Sequence, residues 1–481
     1  MSIDMGSRAL DVDLLARELG NWRTSSSTGA AYLGLADAVR LLIVDGRIPV
    51  GSRLPSERAL ADVLRVSRTT VTAAFAALRE DGYLNARRGA RSTAALPPRP
   101  ALPADPGAPT VSLAAAALSA PSAAVREAFA DAARDVTPYL AEVGHELSGV
   151  CALRTAVAER YTARGLPTDP TQIMITTGAQ HAIGLILAAF TQPGDRVLVE
   201  QPTYHGALAA ISAAGSRAVP VALNESGWEL DAVHAAIRQL APVLAYFIPD
   251  SHNPTGFTMP TDQRNRLGHI ISETRTRTLV DESIMDMWLD DAPPEPLAAA
   301  LPNRRELVLT IGSMSKSFWG GLRIGWIRAE PATLATIASI RASVDLGTPI
   351  LEQLTAARLL DQREEILPER RALLRSRREH LLDLLARELP DWRPGPGRGG
   401  MSLWIQLPAP MSTALSASAS RLGLDLPAGP RFGVDGTLER FIRVPYALPE
   451  TQLEEAVELM ARAWRSITGV AVAPDTHAVV V

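Results

Sequence analysis

The segment "LTIGSMSKSFWGGLRIGWI", residues 309–327, decides the fold of this 481-residue chain. It contains Lys316, the only lysine in a sequence with 48 lysine and arginine residues. Arginine replaces lysine wherever positive charge alone is needed, but its guanidinium stays protonated, whereas a desolvated lysine can lose its proton and attack a carbonyl carbon. The retained lysine therefore predicts nucleophilic chemistry, and compositional drift toward arginine is the alternative.

The regions around this segment alternate between short apolar stretches and helical stretches. "GVCALRTAVAERYTARG" (149–165) is typical of an amphipathic helix, and four stretches read as buried strands: "RVLVE" (196–200), "VLAYFI" (243–248), "RTLVDES" (277–283) and "LVLTIG" (307–312). Because strands of continuous apolar character are covered on both faces, the pattern predicts an α/β fold with a mainly parallel sheet between helices. Ligands of such sheets bind at the carboxyl ends of the strands.

Polar residues at these strand ends suit the parts of pyridoxal 5′-phosphate. We predict that Lys316 is the catalytic residue that forms a Schiff base with the cofactor aldehyde. Asp281 would hold the pyridine nitrogen protonated, Asn253 would donate to the ring hydroxyl, and Tyr204 would stack on the ring. Each of these residues alone is a weak indication of the cofactor, but together, in this order along the chain, they are a specific one.

Donors for the cofactor phosphate are also present. Gly178, Ala179 and Gln180 place backbone N–H groups at the predicted start of a helix. Ser313 and Ser315 flank Lys316, and Arg323 follows it by seven residues with a guanidinium suited to a dianion. These residues complete the predicted cofactor site.

The first 96 residues have a different pattern. Helical spacing of Leu35, Val39, Leu42 and Ile43 is followed by two further helices with Ser56 and Ser67 as expected N-caps, and by a hairpin in "YLNARRGARST" (83–93). An N-terminal helix and a winged helix-turn-helix are therefore expected over residues 1–96. Residues 33–96 hold ten arginines and six acidic residues, a local charge of +4 in a chain of net charge −4, so any DNA-binding surface is local.

The stretch "RLPSERALADVLRVSRTTVTAAFAALREDGYLNARRG" (53–89) resembles the winged-helix domain of GntR-type bacterial regulators. The resemblance implies binding to double-stranded DNA. The residues at DNA-contacting positions would be Arg58, Ser67, Arg68, Thr69 and Thr70 on the helices, and Arg88 and Gly89 at the wing tip. The family often has a basic residue where Thr72 stands, which leaves base preference there open.

Residues 111–470 resemble fold type I aminotransferases, with a small α+β subdomain over about 345–470. A proline-rich linker (97–110) would precede this domain and a tail (471–481) would follow it. The fusion to a GntR-type domain resembles the MocR family of regulators. In "LPAGPRFGVDGTLERFIRVPYALP" (426–449), the resemblance places the arginine for an effector carboxylate at Arg443, and Arg440 is the alternative.

Two departures from the family pattern concern the cofactor. Ile284 stands where relatives have a tyrosine that bonds the ring hydroxyl, and Gly144 stands where many have a tyrosine that reaches the phosphate of the neighbouring subunit. Tyr139 or His145 could substitute for the second. Both losses favour a pocket that binds the cofactor without efficient turnover.

The resemblance implies a regulator that senses pyridoxal 5′-phosphate, or an amine or amino acid, through an internal aldimine at Lys316. It also implies a head-to-tail homodimer, with each large domain near the partner's winged helix. The alternatives are an active aminotransferase with a DNA-binding appendage, and a large domain that serves only dimerisation. Without a signal peptide, membrane span, disulfide framework or metal-ligand spacing in the sequence, we expect a bacterial cytoplasmic protein, nucleoid-associated when bound to DNA, and no metal.

Overall fold

The computed structural model describes residues 9–20, 22, 31–85, 92–95, 111–224 and 227–469. The predicted linker (97–110), the tail (471–481) and the wing-tip residues Arg88 and Gly89 lie outside the described residues.

The N-terminal part is a winged helix-turn-helix, as predicted. Its elements are α1 (Val12–Leu19), α2 (Ala31–Val44), α3 (Glu57–Leu64), α4 (Arg68–Glu80), β1 (Leu84–Asn85) and β2 (Thr93–Ala94), and the two strands pair antiparallel. Ser56 caps α3 by accepting from the N–H of Ala59 at 3.2 Å, and Ser67 caps α4 by accepting from the N–H of Thr70 at 3.1 Å. Both predicted N-caps are confirmed.

The core of this domain comes from one stripe on α4 packed against α2. Val71, Ala74, Phe75 and Leu78 on α4 are buried, as the helical spacing predicts, and they meet residues such as Leu35. Burial of each large apolar side chain stabilises the fold by roughly 1.5–3 kcal/mol.

The second part is an α/β domain followed by a smaller α+β unit. Its strands are β3 (Val111–Ser112), β4 (Ile173–Thr176), β5 (Arg196–Gln201), β6 (Arg217–Asn224), β7 (Gly227–Trp228), β8 (Leu244–Phe247), β9 (Thr278–Asp281), β10 (Val308–Ser313), β11 (Gly325–Arg328), β12 (Arg393–Pro394), β13 (Ser402–Gln406), β14 (Leu424–Asp425) and β15 (Phe441–Pro445). Its helices are α5 (Ser122–Asp135), α6 (Cys151–Ala163), α7 (Ala179–Phe190), α8 (His205–Ala213), α9 (Leu230–Leu240), α10 (Thr261–Thr274), α11 (Pro331–Arg341), α12 (Ile350–Asp361), α13 (Arg363–Glu388), α14 (Ser412–Arg421) and α15 (Glu450–Thr468).

Among the described residues, eight strands form one sheet in the order β4-β11-β10-β9-β8-β5-β6-β7. The central pairs from β10 to β6 are parallel, and the pairs that involve β11 and β7 are antiparallel. The mainly parallel sheet is therefore confirmed, with one antiparallel strand, β11, next to the edge strand β4 and another, β7, at the opposite edge. Two apolar cores cover its faces, which explains why its strands are apolar throughout.

The smaller unit contains an antiparallel sheet of β12, β13 and β15, and a parallel pair of β14 with β3. Helix α14 packs against α2 of the winged helix, and Arg421 on α14 forms an ion pair with Asp37 on α2. Burial raises the pKa of Asp37, and the neighbouring Arg40 and Arg421 guanidiniums oppose that shift. The winged helix thus contacts the small unit of its own chain, and its position in a dimer stays a prediction.

In the part of the chain that the structure describes, no helix is both long enough and apolar enough to cross a lipid bilayer. The same residues contain no cluster of side chains that could hold a metal ion.

Candidate cofactor and effector site

A cavity of about 290 Å³ opens where the parallel strands of the sheet end. The structure brings almost all predicted site residues together there; those that line the cavity are Ala179, Gln180, Tyr204, Asn253, Asp281, Ser313, Ser315, Lys316, Arg323 and Arg443. Gly178 immediately precedes this lining at the start of α7.

Lys316 lies in a short π-helical turn, Ser315–Trp319, that directly follows β10. Such turns are rare in proteins, and those that occur are often at functional sites. The Ser317 hydroxyl fixes the turn by donating to Oδ2 of Asp286 at 2.6 Å. This bond holds the lysine at the rim of the sheet.

The amine of Lys316 donates to the backbone carbonyl of Ala116 at 2.8 Å. Burial, together with the charge of Arg443, lowers the pKa of Lys316 to about 8. A substantial share of the amine is therefore neutral near pH 8 and able to act as a nucleophile.

Asp281, the last residue of β9, is buried beneath the cavity and has two hydrogen-bond donors. The Tyr246 hydroxyl donates to Oδ2 at 2.8 Å, and the N–H of Ser283 donates to Oδ1 at 2.9 Å. Burial raises the pKa of Asp281, and burial also raises the pKa of Tyr246, so Tyr246 remains a donor. A carboxylate held in this way suits a protonated ring nitrogen, whose charge would offset the burial.

Asn253 and Tyr204 face the same space. Oδ1 of Asn253 is buried and has no hydrogen-bond partner among the described residues, so it would accept from a ligand hydroxyl, whereas the sequence-based prediction has the Asn253 amide donate to the ring hydroxyl. The Tyr204 ring lies over the first turn of α8 because residue 206 is glycine: a Cβ there would lie 2.4 Å from the ring. The Tyr204 ring also lines the cavity.

The predicted phosphate subsite is the start of α7. Gly178 is its N-cap with φ 85° and ψ 167°, so the N–H groups of Ala179 and Gln180 belong to the unsatisfied first turn. Arg323 lies beside it, and its Nη2 donates to the carbonyl of Thr177 at 3.2 Å. A Cβ at Gly178 would lie 2.6 Å from that Nη2, and one at Gly325 would lie 2.6 Å from the carbonyl carbon of Gly178.

These residues fit pyridoxal 5′-phosphate: a nucleophilic amine, a buried carboxylate, an unsatisfied amide and an anion cradle surround one cavity. When bound, this cofactor supplies an aldehyde that captures amines and a ring that accepts electrons. Lys316, Asp281, Asn253, Tyr204 and the α7 start would hold it.

Arg443 forms a second buried charge in the same cavity. Its Nη2 donates to the carbonyls of Leu113, at 3.3 Å, and Ala114, and its guanidinium lies 5.0 Å from the centre of the Phe432 ring. Burial lowers the pKa of Arg443 to about 10. Arg440, the alternative, is exposed and donates to the carbonyl of Pro408 at 2.7 Å, so it does not line the cavity.

Several lining residues had not been predicted. Ala114 and Ala116 contribute backbone carbonyls that accept from Arg443 and Lys316, which residue type does not reveal, and His205 contributes a ring whose pKa burial lowers to about 3. The role of Tyr246 could not be predicted, because it lies in a strand that is otherwise apolar.

The two departures from the family pattern have different positions. Ile284 lines the cavity, so an apolar side chain lies where relatives have a hydroxyl. Gly144 has φ 76° and does not line this cavity, and neither do Tyr139 and His145.

The predicted DNA-binding residues lie at the start of α4 and on α3. Arg58, Arg68 and Thr69 are exposed, and neither arginine has an ion-pair partner within the described residues. The Ser67 hydroxyl lies 2.7 Å from the hydroxyls of Thr69 and Thr70, which fixes this turn. Thr72 donates to Glu57 at 2.7 Å and so faces the neighbouring helix.

A cofactor cavity at the carboxyl edge of a mainly parallel sheet, joined to a winged helix, defines a DNA-binding protein with an aminotransferase-type domain. The profile of the "aminotransferase class I and II" family matches residues 112–460, and that of the "bacterial regulatory proteins, gntR family" matches residues 31–93. The chain therefore belongs to the aminotransferase class I and II family, and its GntR domain gives it the composition of a MocR-type transcriptional regulator. Pyridoxal 5′-phosphate is the cofactor of this family.

Relatives of both kinds are similar to the chain. It is 28% identical to the uncharacterized HTH-type transcriptional regulator YisV of Bacillus subtilis, over 87% of this chain and 94% of that protein. It is 31% identical to 2-aminoadipate transaminase of Thermus thermophilus, over 73% and 90% of the two chains. The crystal structure of LysN, α-aminoadipate aminotransferase from Thermus thermophilus complexed with N-(5′-phosphopyridoxyl)-L-leucine, matches 75% of this chain and 93% of that chain with TM-score 0.69 and 30% identity.

Proposed function

We propose that this regulator binds pyridoxal 5′-phosphate through Lys316 and changes its DNA binding when an effector occupies the cavity beside Arg443. The effector is the cofactor itself, or an amine or amino acid that replaces Lys316 on it. One observation carries the proposal: a single turn, Gly429–Phe432, contacts both the cavity and the winged helix.

On the cavity side of this turn, Phe432 packs under the Arg443 guanidinium and edge-on against the His205 ring, with ring centres 5.6 Å apart. On the other side, Arg431 lies 3.5 Å from Asp45, just after α2 of the winged helix. A ligand that moves Arg443 therefore displaces Phe432, and the adjacent residue, Arg431, contacts the DNA-binding domain at Asp45.

The proposal includes a head-to-tail homodimer in the bacterial cytoplasm, associated with the nucleoid when DNA is bound. Large apolar side chains at two neighbouring loops support the dimer: Leu140 is 74% exposed, Val143 84%, Val344 59% and Leu346 54%. The loops lie side by side, since a Cβ at Gly347 would lie 2.8 Å from the carbonyl oxygen of Glu146. Exposed apolar patches of this kind mark association surfaces.

The second candidate function is transamination. Lys316, Asp281 and Arg443 share one cavity, which meets the needs of a reaction with an α-amino acid, and 2-aminoadipate transaminase is among the relatives. Conversion of bound cofactor to its pyridoxamine form by an amino acid, and its restoration by a keto acid, would support turnover.

The test of the regulator proposal is fluorescence anisotropy with the DNA immediately upstream of the chain's own gene. The apo protein, the cofactor-loaded protein, and the loaded protein with amino acids or amines are compared. We expect an affinity change with the cofactor or with one added class of ligand, and its loss in Lys316→Ala. Specific binding that responds to no addition would contradict the sensing role, and an unchanged response of Lys316→Ala would contradict the role of the lysine.

A further inference from the structure

A second cavity, of about 240 Å³, lies between the winged helix and the large domain and is here called the interdomain cavity. One wall comes from α1 and the turn after α2, and the other comes from α8 and the Gly429–Phe432 turn. The apolar part of the lining consists mainly of Leu14, Leu15, Ile48, Leu208, Ala209 and Pro430. His205 lines both this cavity and the cofactor cavity, so its ring lies between the two.

The interface around the interdomain cavity is closely packed. A Cβ at Gly436 would lie 2.7 Å from the carbonyl oxygen of Arg17 on α1, and a Cβ at Gly20 would lie 2.7 Å from Oε1 of Glu439. Packed protein interiors leave few voids larger than a water molecule, and ligand pockets occur preferentially at domain interfaces. A cavity of this size between closely packed domains therefore indicates a ligand site.

The charged groups of the lining balance each other. Glu18 forms an ion pair with Arg47, and Arg431 lies 3.5 Å from Asp45. His205, the remaining titratable group of the lining, is neutral because burial lowers its pKa to about 3. A ligand charge of either sign would lie beside a like charge and would lose water among apolar walls, so the cavity favours a neutral molecule.

Asp45 and Arg431 retain hydrogen-bonding capacity that the protein does not use. Residues that the structure describes form no hydrogen bond to the Asp45 carboxylate, and among them Nε of Arg431 is buried without a partner. Burial raises the pKa of Asp45, although Arg431 and Arg47 oppose the shift. The pair thus presents an acceptor and a donor side by side at the cavity.

A primary amide is complementary to this pair. Its N–H groups would donate to the carboxylate, and its carbonyl oxygen would accept from the guanidinium. An apolar cavity of about 150 Å³ holds a benzene molecule, so the 240 Å³ available here accommodate a ring with one amide group. The apolar walls would contact the ring.

We propose that the interdomain cavity is a second ligand site, which binds a small neutral primary amide with an apolar body and holds the winged helix against the large domain. A molecule bound there contacts α1 and α8 at once. The site is separate from Lys316, so the inference goes beyond the proposed response to pyridoxal 5′-phosphate and does not depend on it.

The experiment compares benzamide with acetophenone, which has nearly the same shape but a methyl group in place of the N–H donors. Binding of each probe to the full chain is measured by calorimetry, and hydrogen exchange of the peptide that contains α1 is followed by mass spectrometry. We expect benzamide to bind about 10- to 150-fold more tightly than acetophenone, the effect of a hydrogen bond to a charged group. At ten times its Kd, benzamide should slow the exchange of α1 by about tenfold.

Two variants of α8 locate the bound probe. Ala209→Phe places a ring in the interdomain cavity and should abolish the binding of benzamide. Ala213→Phe is the matched control, since Ala213 is exposed one turn later on the same helix and lies outside the lining, and it should leave the affinity unchanged.

The comparison of the two probes on the unaltered chain does not depend on the folding of a variant. Equal affinities, or no binding of either probe at millimolar concentration, would overturn the amide site. Binding that survives in Ala209→Phe would place the ligand elsewhere and would overturn the site as well. Binding without slower exchange of α1 would overturn the claim that the ligand holds the winged helix.

Discussion

Substitution of Gly178 by alanine should weaken cofactor binding while the protein still folds. Gly178 caps α7 with φ 85° and ψ 167°, a region that only glycine adopts readily, and a non-glycine residue there costs about 1–3 kcal/mol of stability. The added Cβ would lie 2.6 Å from Nη2 of Arg323. Because this atom ends a flexible side chain, Arg323 moves aside at little further cost to folding.

The displaced guanidinium is the proposed ligand of the cofactor phosphate. Loss of one charge-assisted hydrogen bond to the phosphate weakens binding by about 1.5–3 kcal/mol, which is about 10- to 150-fold in Kd. Titration of the apo protein with pyridoxal 5′-phosphate, followed by tryptophan fluorescence, measures this loss. Urea unfolding of the apo protein measures the strain.

Gly184→Ala is the matched control on the same helix. A Cβ at Gly184 would meet nothing within 4 Å, and alanine is more favourable than glycine in a helix interior by about 1 kcal/mol. We expect this variant to be more stable and to bind the cofactor unchanged. Unaltered cofactor affinity in Gly178→Ala, within twofold, would refute the assignment of the phosphate subsite.

Three further predictions concern the site and α4. Tyr246→Phe removes the donor to Asp281 and should weaken cofactor binding by about 1.5–3 kcal/mol; an unchanged Kd, measured by the same titration, would show that the bond has no role. Since the lowered pKa of Lys316, about 8, leaves more neutral amine as pH rises, the rate of covalent cofactor capture in stopped-flow absorbance should reach half its maximum near pH 8 and level off above it; a rate whose midpoint lies near pH 10.5 would contradict the lowered pKa. Arg68→Ala should cost about 1–3 kcal/mol of specific DNA affinity in anisotropy titrations, while Arg126→Ala, exposed on α5 of the large domain, should cost none; equal effects would place the DNA surface elsewhere.

The sequence predicted the parts of the site that depend on side-chain chemistry at strand ends. Lys316, Asp281 and Asn253 follow apolar strands, and in a parallel sheet the ends of such strands meet at one edge. The N-caps Ser56 and Ser67 could also be predicted from the sequence, because local hydrogen bonding decides which residue caps a helix.

Features that arise from packing between distant segments could not be predicted from the sequence. The carbonyls of Ala114 and Ala116 accept from Arg443 and Lys316, and because every residue has a carbonyl, these alanines carry no signal in the sequence. Tyr246 looked like an ordinary residue of a buried strand until the fold placed Asp281 beside it. The Gly429–Phe432 turn lies in the segment that predicts Arg443, yet its contact with Asp45 depends on where the winged helix docks.

The pairing of β3 with β14 joins residues that are 313 positions apart, as the bond from Ser112 to Asp425 also shows. During synthesis from the N-terminus, the winged helix leaves the ribosome and can fold long before β14 and Arg443 exist. A chain cut short before residue 412 would therefore carry the winged helix without the α14 contact, without β14 and without Arg443. Such a fragment would lack both the arginine proposed for the effector and the contact that ties the winged helix to the small unit.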